Sequence, residues 1–266
     1  NGSITTTTQN LNAGAIYEYN GAVAQVTGTN LPSSITGTLK INNSTGVTLS
    51  QSTTITGVLN LAVGAFDLST FDLTMGSGGT VTGTPSSSNF VKTSSTGRFG
   101  WTIPTSGFAS SYDFPIGTSS NYTPVSLVFT ANNISRVVFM NSTGSSHAMN
   151  GSPDYIGNRY WSSSLSTNAG TYSYTSTFTY INGDLTGTLG NVKLDRWNGS
   201  AWTEDAGSSA TGSPTFTINS GSLSRLYVPR INAIGNAVIS FNATTVNFTS
   251  ITVNGTTKAK LIRIGF

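Results

Sequence analysis

Cysteine is absent from the 266-residue chain, so disulfides, thiolate metal sites and thiol nucleophiles are excluded. Charge is nearly as scarce: Asp, Glu, Lys and Arg together make up 8% of residues, against about 25% in an ordinary soluble domain. The surface must be built from hydroxyls and amides. Glutamate occurs only as Glu18 and Glu204, lysine is rare, and no stretch keeps a helical apolar period over several turns, so no long helix is expected. No apolar run approaches the roughly 18 residues of a membrane-spanning helix. The first residue is Asn1 rather than Met and the sequence contains no basic n-region followed by an apolar segment, so the expectation is mature material from which an export signal has been removed. The 12 basic residues are scattered. They form no patch dense enough to displace many counterions, so no nucleic-acid partner is expected.

What is present favours strands. Thr, Val, Ile, Tyr and Phe suit a pleated, half-buried surface because branching at Cβ restricts a helix and packs well across strands. With 36% hydrophobic and 10% aromatic residues and a net charge of +3, the chain lacks the signature of disorder. An internal echo lies between residues 37 and 76: GTLKINN from Gly37 returns as GVLNLAV from Gly57, and GVTLS from Gly46 as GAFDLS from Gly64. Two readings fit it. Stacked coils of a β-solenoid would each cover a neighbour's apolar face, and consecutive strands of a sandwich could share the same alternation.

Residues 76–89, GSGGTVTGTPSSSN, have little to bury and read as a linker or long loop. Beyond them, Tyr172, Tyr174, Phe178 and Tyr180 alternate with Ser173, Thr175, Thr177 and Thr179, giving an aromatic face and a hydroxyl face. Shorter alternations follow in Val125, Leu127 and Phe129, in Val192 and Leu194, in Phe216 and Ile218, and in Ala237, Ile239 and Phe241. Turn residues such as Asn182-Gly183-Asp184 and Asn198-Gly199 separate them. The expected fold is all-β: an N-terminal section over residues 1–85, a short solenoid or sandwich, then a β-sandwich of jelly-roll or immunoglobulin-like packing over 86–266 with a basic C-terminal strand.

Four stretches, AIYEYNGAVAQVTGTNLPSSITGTLKINNSTGVTLS (residues 15–50), FPIGTSSNYTPVSL (114–127), NRYWS (158–162) and DRWNGSAWTED (195–205), resemble modules of large secreted or cell-surface proteins of Bacteroidetes and related bacteria, commonly exported by the type IX route. The resemblance implies an extracellular, repetitive, all-β surface protein with a structural or adhesive role and no catalytic motif. Such proteins usually run on into further modules and a sorting domain, whereas this sequence has a basic strand up to Phe266.

Candidate chemistry is thin. The single histidine, His147, sits in the polar segment STGSSHAMNGSPD, and no GxSxG surrounds a serine. Glycoside hydrolysis needs two facing carboxylates, and the nine candidates are Glu18, Asp67, Asp72, Asp113, Asp154, Asp184, Asp195, Glu204 and Asp205. In Phe66-Asp67-Leu68 and Phe71-Asp72-Leu73, alternation turns each Asp outward. GSGGTVTG lacks the Lys-Ser/Thr of a phosphate loop. No cofactor is expected; a Ca²⁺ site would draw on Asp154, Asp184 or the Glu204-Asp205 pair, without a motif behind it. Trp101, Trp161, Trp197 and Trp202 would serve either as core or as a sugar-stacking platform. Sequons at Asn43, Asn133, Asn141, Asn198, Asn242 and Asn247 are candidate glycosylation sites.

Function is expected to follow from assembly. Strands coated with hydroxyls and few charges lack the Lys-rich edges that keep β-proteins apart. In Lys258-Ala259-Lys260-Leu261-Ile262-Arg263-Ile264-Gly265-Phe266, Ile262, Ile264 and Phe266 share a face; in the N-terminal segment, Ile4, Thr6 and Thr8 do. Either segment is a candidate strand for head-to-tail pairing with another copy, in a non-enzymatic structural subunit of a cell-surface filament or adhesin. The competing expectation is a carbohydrate- or receptor-binding sandwich of a surface adhesin or viral fibre.

Overall fold

Parallel pairing decides between the two readings of the echo. In the computed structural model, which describes residues 10–93, 95–119, 121–147, 158–184, 192–197, 200, 202–204, 215–219, 222–231, 251–253 and 256–258, the chain opens with four stacked coils of three short strands each. They are β1 (Ile16–Tyr19), β2 (Gln25–Val26) and β3 (Ser34–Ile35); β4 (Thr38–Asn42), β5 (Val47–Thr48) and β6 (Thr53–Ile55); β7 (Val58–Val63), β8 (Phe66–Asp67) and β9 (Leu73–Met75); and β10 (Thr80–Thr82), β11 (Val91–Lys92) and β12 (Phe99–Ile103). Equivalent strands pair in parallel, β1-β4-β7-β10 on one face, β2-β5-β8-β11 on the second and β3-β6-β9-β12 on the third. The solenoid-like stretch is therefore longer than its echo. Residues 76–89 correct the linker reading, because β10 pairs with β7 and Ser86 bridges Asn89. Residues 85 and 86 lie in the fourth coil, between β10 and β11.

Each coil sends alternate apolar residues inward, where Leu39, Ile41, Leu59, Leu61, Phe66 and Leu73 are fully buried. Glycine marks one corner because coils meet there backbone to backbone. A Cβ on Gly57 would lie 1.9 Å from the Gly37 carbonyl oxygen, and one on Gly37 would lie 2.2 Å from that of Ala15. At another corner two buried asparagines bond the turns. Asn43 Nδ2 donates to the Val23 carbonyl (2.8 Å) and Gln25 Oε1 (3.0 Å), and Asn89 Nδ2 donates to the carbonyls of Leu61 (2.5 Å) and Gly83 (2.8 Å). Such bonds satisfy carbonyls that would otherwise be buried unpaired, at about 1–3 kcal/mol each.

The third face does not end with the coils. β12 pairs antiparallel with β16 (Arg136–Thr143), and the same sheet continues through β17 (Tyr160–Leu165), β22 (Leu226–Ile231), β19 (Val192–Trp197) and β20 (Trp202–Glu204). A second sheet holds β13 (Tyr112–Phe114), β15 (Val125–Asn132), β18 (Tyr172–Thr179) and β21 (Thr215–Asn219), while β14 (Ile116–Gly117) adds to β11. The two sheets pack as a sandwich through aromatic side chains. Trp161 meets Phe178 edge-on at 5.4 Å, Phe178 meets Tyr227 at 4.6 Å, and Trp101 meets Tyr112 at 5.7 Å. The aromatic alternation from Tyr172 forms β18 as expected, with Tyr174 and Phe178 buried in it and Tyr180 buried just beyond its end.

Contacts divide the chain into Asn1–Asn232 and Ala233–Phe266. The described part of the second unit is one hairpin, β23 (Ile251–Val253) with β24 (Thr256–Lys258).

Candidate functional site

The residues singled out from the sequence scatter. Ile4, Thr6 and Thr8, Ile262, Ile264 and Phe266, and the sequons at Asn198, Asn242 and Asn247 lie outside the described residues. Of the remaining sequons, Asn43 and Asn141 are buried, with their amide nitrogens donating to main-chain carbonyls (for Asn141, Gly97 at 2.9 Å). A sugar could not be carried there in the fold, and Asn133 is the exposed sequon. Asp154 and Asp205 are not described, and Asp184 bonds Arg159 (2.5 Å) in the interior. Among the described residues no three His, Asp or Glu gather as a metal site would require. His147 stands half-buried with its ring 5.1 Å from Tyr160, and partial burial lowers its pKa.

The outward carboxylates of the coils have partners one coil away. Glu18 binds Lys40 (3.0 Å) and Asn42 (2.9 Å), Asp67 binds Lys92 (2.9 Å), and Asp72 receives both Nε (3.1 Å) and a terminal nitrogen (2.6 Å) of Arg98. These bonds to Asn42 and Lys40 hold the Glu18 carboxyl below its ordinary pKa. The carboxylates are rungs, and they do not converge on a substrate.

Two places remain where the fold leaves groups unused. The first is the outer end of the coils: β1, β2 and β3 are the outermost strands of their sheets among the described residues, and Ile16 (72% exposed), Val26 (66%) and Val23 (52%) stand out from this coil. Beneath them, Tyr19 donates its hydroxyl to the Thr27 carbonyl (2.9 Å), and burial pushes its pKa up to about 12.

The second is the shoulder where the fourth coil meets the sandwich. Two clefts, of about 280 Å³ and 500 Å³, share Val81 and Asp113. Asp113 lies exposed on β13, and its carboxylate accepts from the hydroxyls of Ser126 (2.6 Å) and Ser111 (3.0 Å). Trp101 Nε1 donates to the Asp113 carbonyl (2.8 Å), which fixes the strand beneath the carboxylate. Tyr122, from the turn after β14, closes the smaller cleft. Burial raises the pKa of its phenol first, and the Asp113 charge raises it further.

Comparison with family models, curated proteins and solved structures finds no match.

Sequence reasoning missed the shoulder. Asp113 carries no more signal than the other carboxylates; Ser126 faces it across the β13–β15 pair, while Val81 and Thr177 reach the same cleft from β10 and β18, strands distant in sequence. Trp101 and Trp161 prove to be core: both are under 10% exposed, and Trp161 donates Nε1 to the Thr123 carbonyl (3.2 Å).

Proposed function

We propose that the chain is a non-enzymatic structural subunit of an extracellular surface assembly, a filament or adhesin, whose copies join by β-strand pairing. The observation that carries this reading is the first coil. Among the described residues its strands are outermost in three sheets at once, and it bears the three most exposed large apolar side chains. Strand edges in this arrangement accept another coil in the register the solenoid repeats internally, Ile16 on Thr38, Thr38 on Val58 and Val58 on Thr80. A second copy carries strands and corners in that same spacing. With 8% charged residues, little like-charge repulsion opposes the contact. The resemblance of residues 15–50 to modules of bacterial surface proteins points to the same compartment.

Electron microscopy and sedimentation of the full chain test the reading. The wild type should form concentration-dependent oligomers or fibres, nearly unchanged by salt because charge contributes little. Ile16→Lys combined with Val26→Lys should leave it monomeric at unchanged fold. Deleting residues 1–10 or 258–266 separately reports whether a terminal strand also pairs. A monomer at every concentration removes the proposal.

A further inference from the structure

The shoulder cleft is independent of the assembly face, since none of its lining residues belongs to the first coil. Its central carboxylate differs from the others whose side-chain bonds are described. Glu18, Asp67, Asp72 and Asp184 each bind a cation within 3.0 Å, whereas no described cation comes within salt-bridge distance of Asp113. Among the described residues its bonds come from hydroxyls alone, one to each oxygen. Each oxygen therefore keeps acceptor capacity, on a residue that lines both clefts and whose side chain is already oriented by Ser111 and Ser126.

The walls supply the complement. Pro85, Pro115 and Pro124 line the smaller cleft and Pro104 the larger, which is half of the eight prolines in the chain. Proline fixes φ, so the walls are preformed and a ligand need not order them. Tyr122 adds an aromatic surface braced by Phe90 at 5.9 Å, and Thr177 and Thr179 add hydroxyls from β18. C–H-rich walls with an oriented carboxylate and flanking hydroxyls match a ligand that has apolar ring faces and a belt of hydroxyl donors. A strand is the poorer fit. The adjoining edge, β10, is three residues long and is followed by Gly83 with φ of 92°, so parallel pairing leaves only Val81 to bond a guest main chain.

We infer that the cleft around Asp113 and Tyr122 binds a neutral saccharide, with Asp113 accepting from sugar hydroxyls and Tyr122 and the prolines packing on the ring. An acidic sugar would meet carboxylate repulsion and is excluded by the same geometry.

Isothermal titration of the full chain with cellohexaose, laminarihexaose, mannohexaose and chitohexaose tests this, with a heparin hexasaccharide and a peptide of residues 258–266 alongside. Saturable binding of at least one neutral oligosaccharide is expected. Asp113→Ala should weaken it about tenfold or more, as loss of a charged hydrogen-bond acceptor implies, and Asp113→Asn by less. Tyr122→Ala should weaken it with the circular dichroism spectrum unchanged, and Asp67→Ala should leave it intact. Absence of binding by every neutral oligosaccharide at millimolar concentration overturns the inference. So does binding that Asp113→Ala leaves unchanged, preference for heparin, or capture of the peptide alone.

Discussion

Arg159 and Asp184 are the residues on which the interior depends most sharply. Both side chains are buried, and Arg159 also reaches Ser142 Oγ at 3.2 Å. Removing Asp184 takes from the buried guanidinium the carboxylate it bonds most closely among the described residues, so Asp184→Ala should cost about 3–5 kcal/mol in chemical denaturation. Replacing both, as Arg159→Met with Asp184→Leu, should recover much of that loss, because neither position then carries a buried charge. Tyr19 gives a residue-scale test of pH. Its phenol ionises at about 12 in the fold rather than near the ordinary 10.0, so the unfolded chain gives up this proton first as pH rises. Stability from this group is intact below pH 10 and falls between there and about pH 12. A phenolate absorbance titration should show one tyrosine fewer ionising late in Tyr19→Phe, and denaturation midpoints of that variant should fall less steeply over the window.

At the scale of the element, the coils behave as repeats whose stability is a sum of coils and interfaces. Deleting residues 37–56 removes the second coil and brings Val58 into the register that Thr38 holds against Ile16. The shortened chain should fold with unchanged spectroscopic signature and a lower denaturation midpoint; failure to fold would show that the coils are not interchangeable. This register also explains how much could be read beforehand. Thr38 to Val58 is a spacing of 20 residues, and glycines at 37 and 57 make the echo visible. Ile16 to Thr38 and Val58 to Thr80 are spacings of 22, so the outer coils lose the alignment that identifies the inner pair. Residues 76–89 looked like a linker because Val81 alone supplies an apolar signal, yet the pairing of β10 rests on main-chain bonds such as Thr80 N–H to the Gly57 carbonyl (2.9 Å). Strand alternation is legible where aromatic residues dominate one face, as in β18, whose inward face is Tyr172, Tyr174, Ser176 and Phe178. The Asp113 cleft was not, since convergence of β10, β13 and β18 leaves no trace in local spacing.

For the first unit as a whole, the sheet that begins on a solenoid face and finishes in the sandwich joins two packing modes without an interruption of hydrogen bonding. A proteinase must draw several consecutive residues out of such a ladder before it can cleave. The basic residues that trypsin-like enzymes seek are few, and those of the coils are held at both levels: Lys40, Lys92 and Arg98 bond across to the preceding coil, and their main chains lie in or beside paired strands. The inter-coil ion pairs, worth little as exposed bridges, thus acquire a second value. They keep the cleavable positions of the coils seated, and a hydroxyl-clad solenoid with its three cations tethered in this way is suited to endure among digestive enzymes.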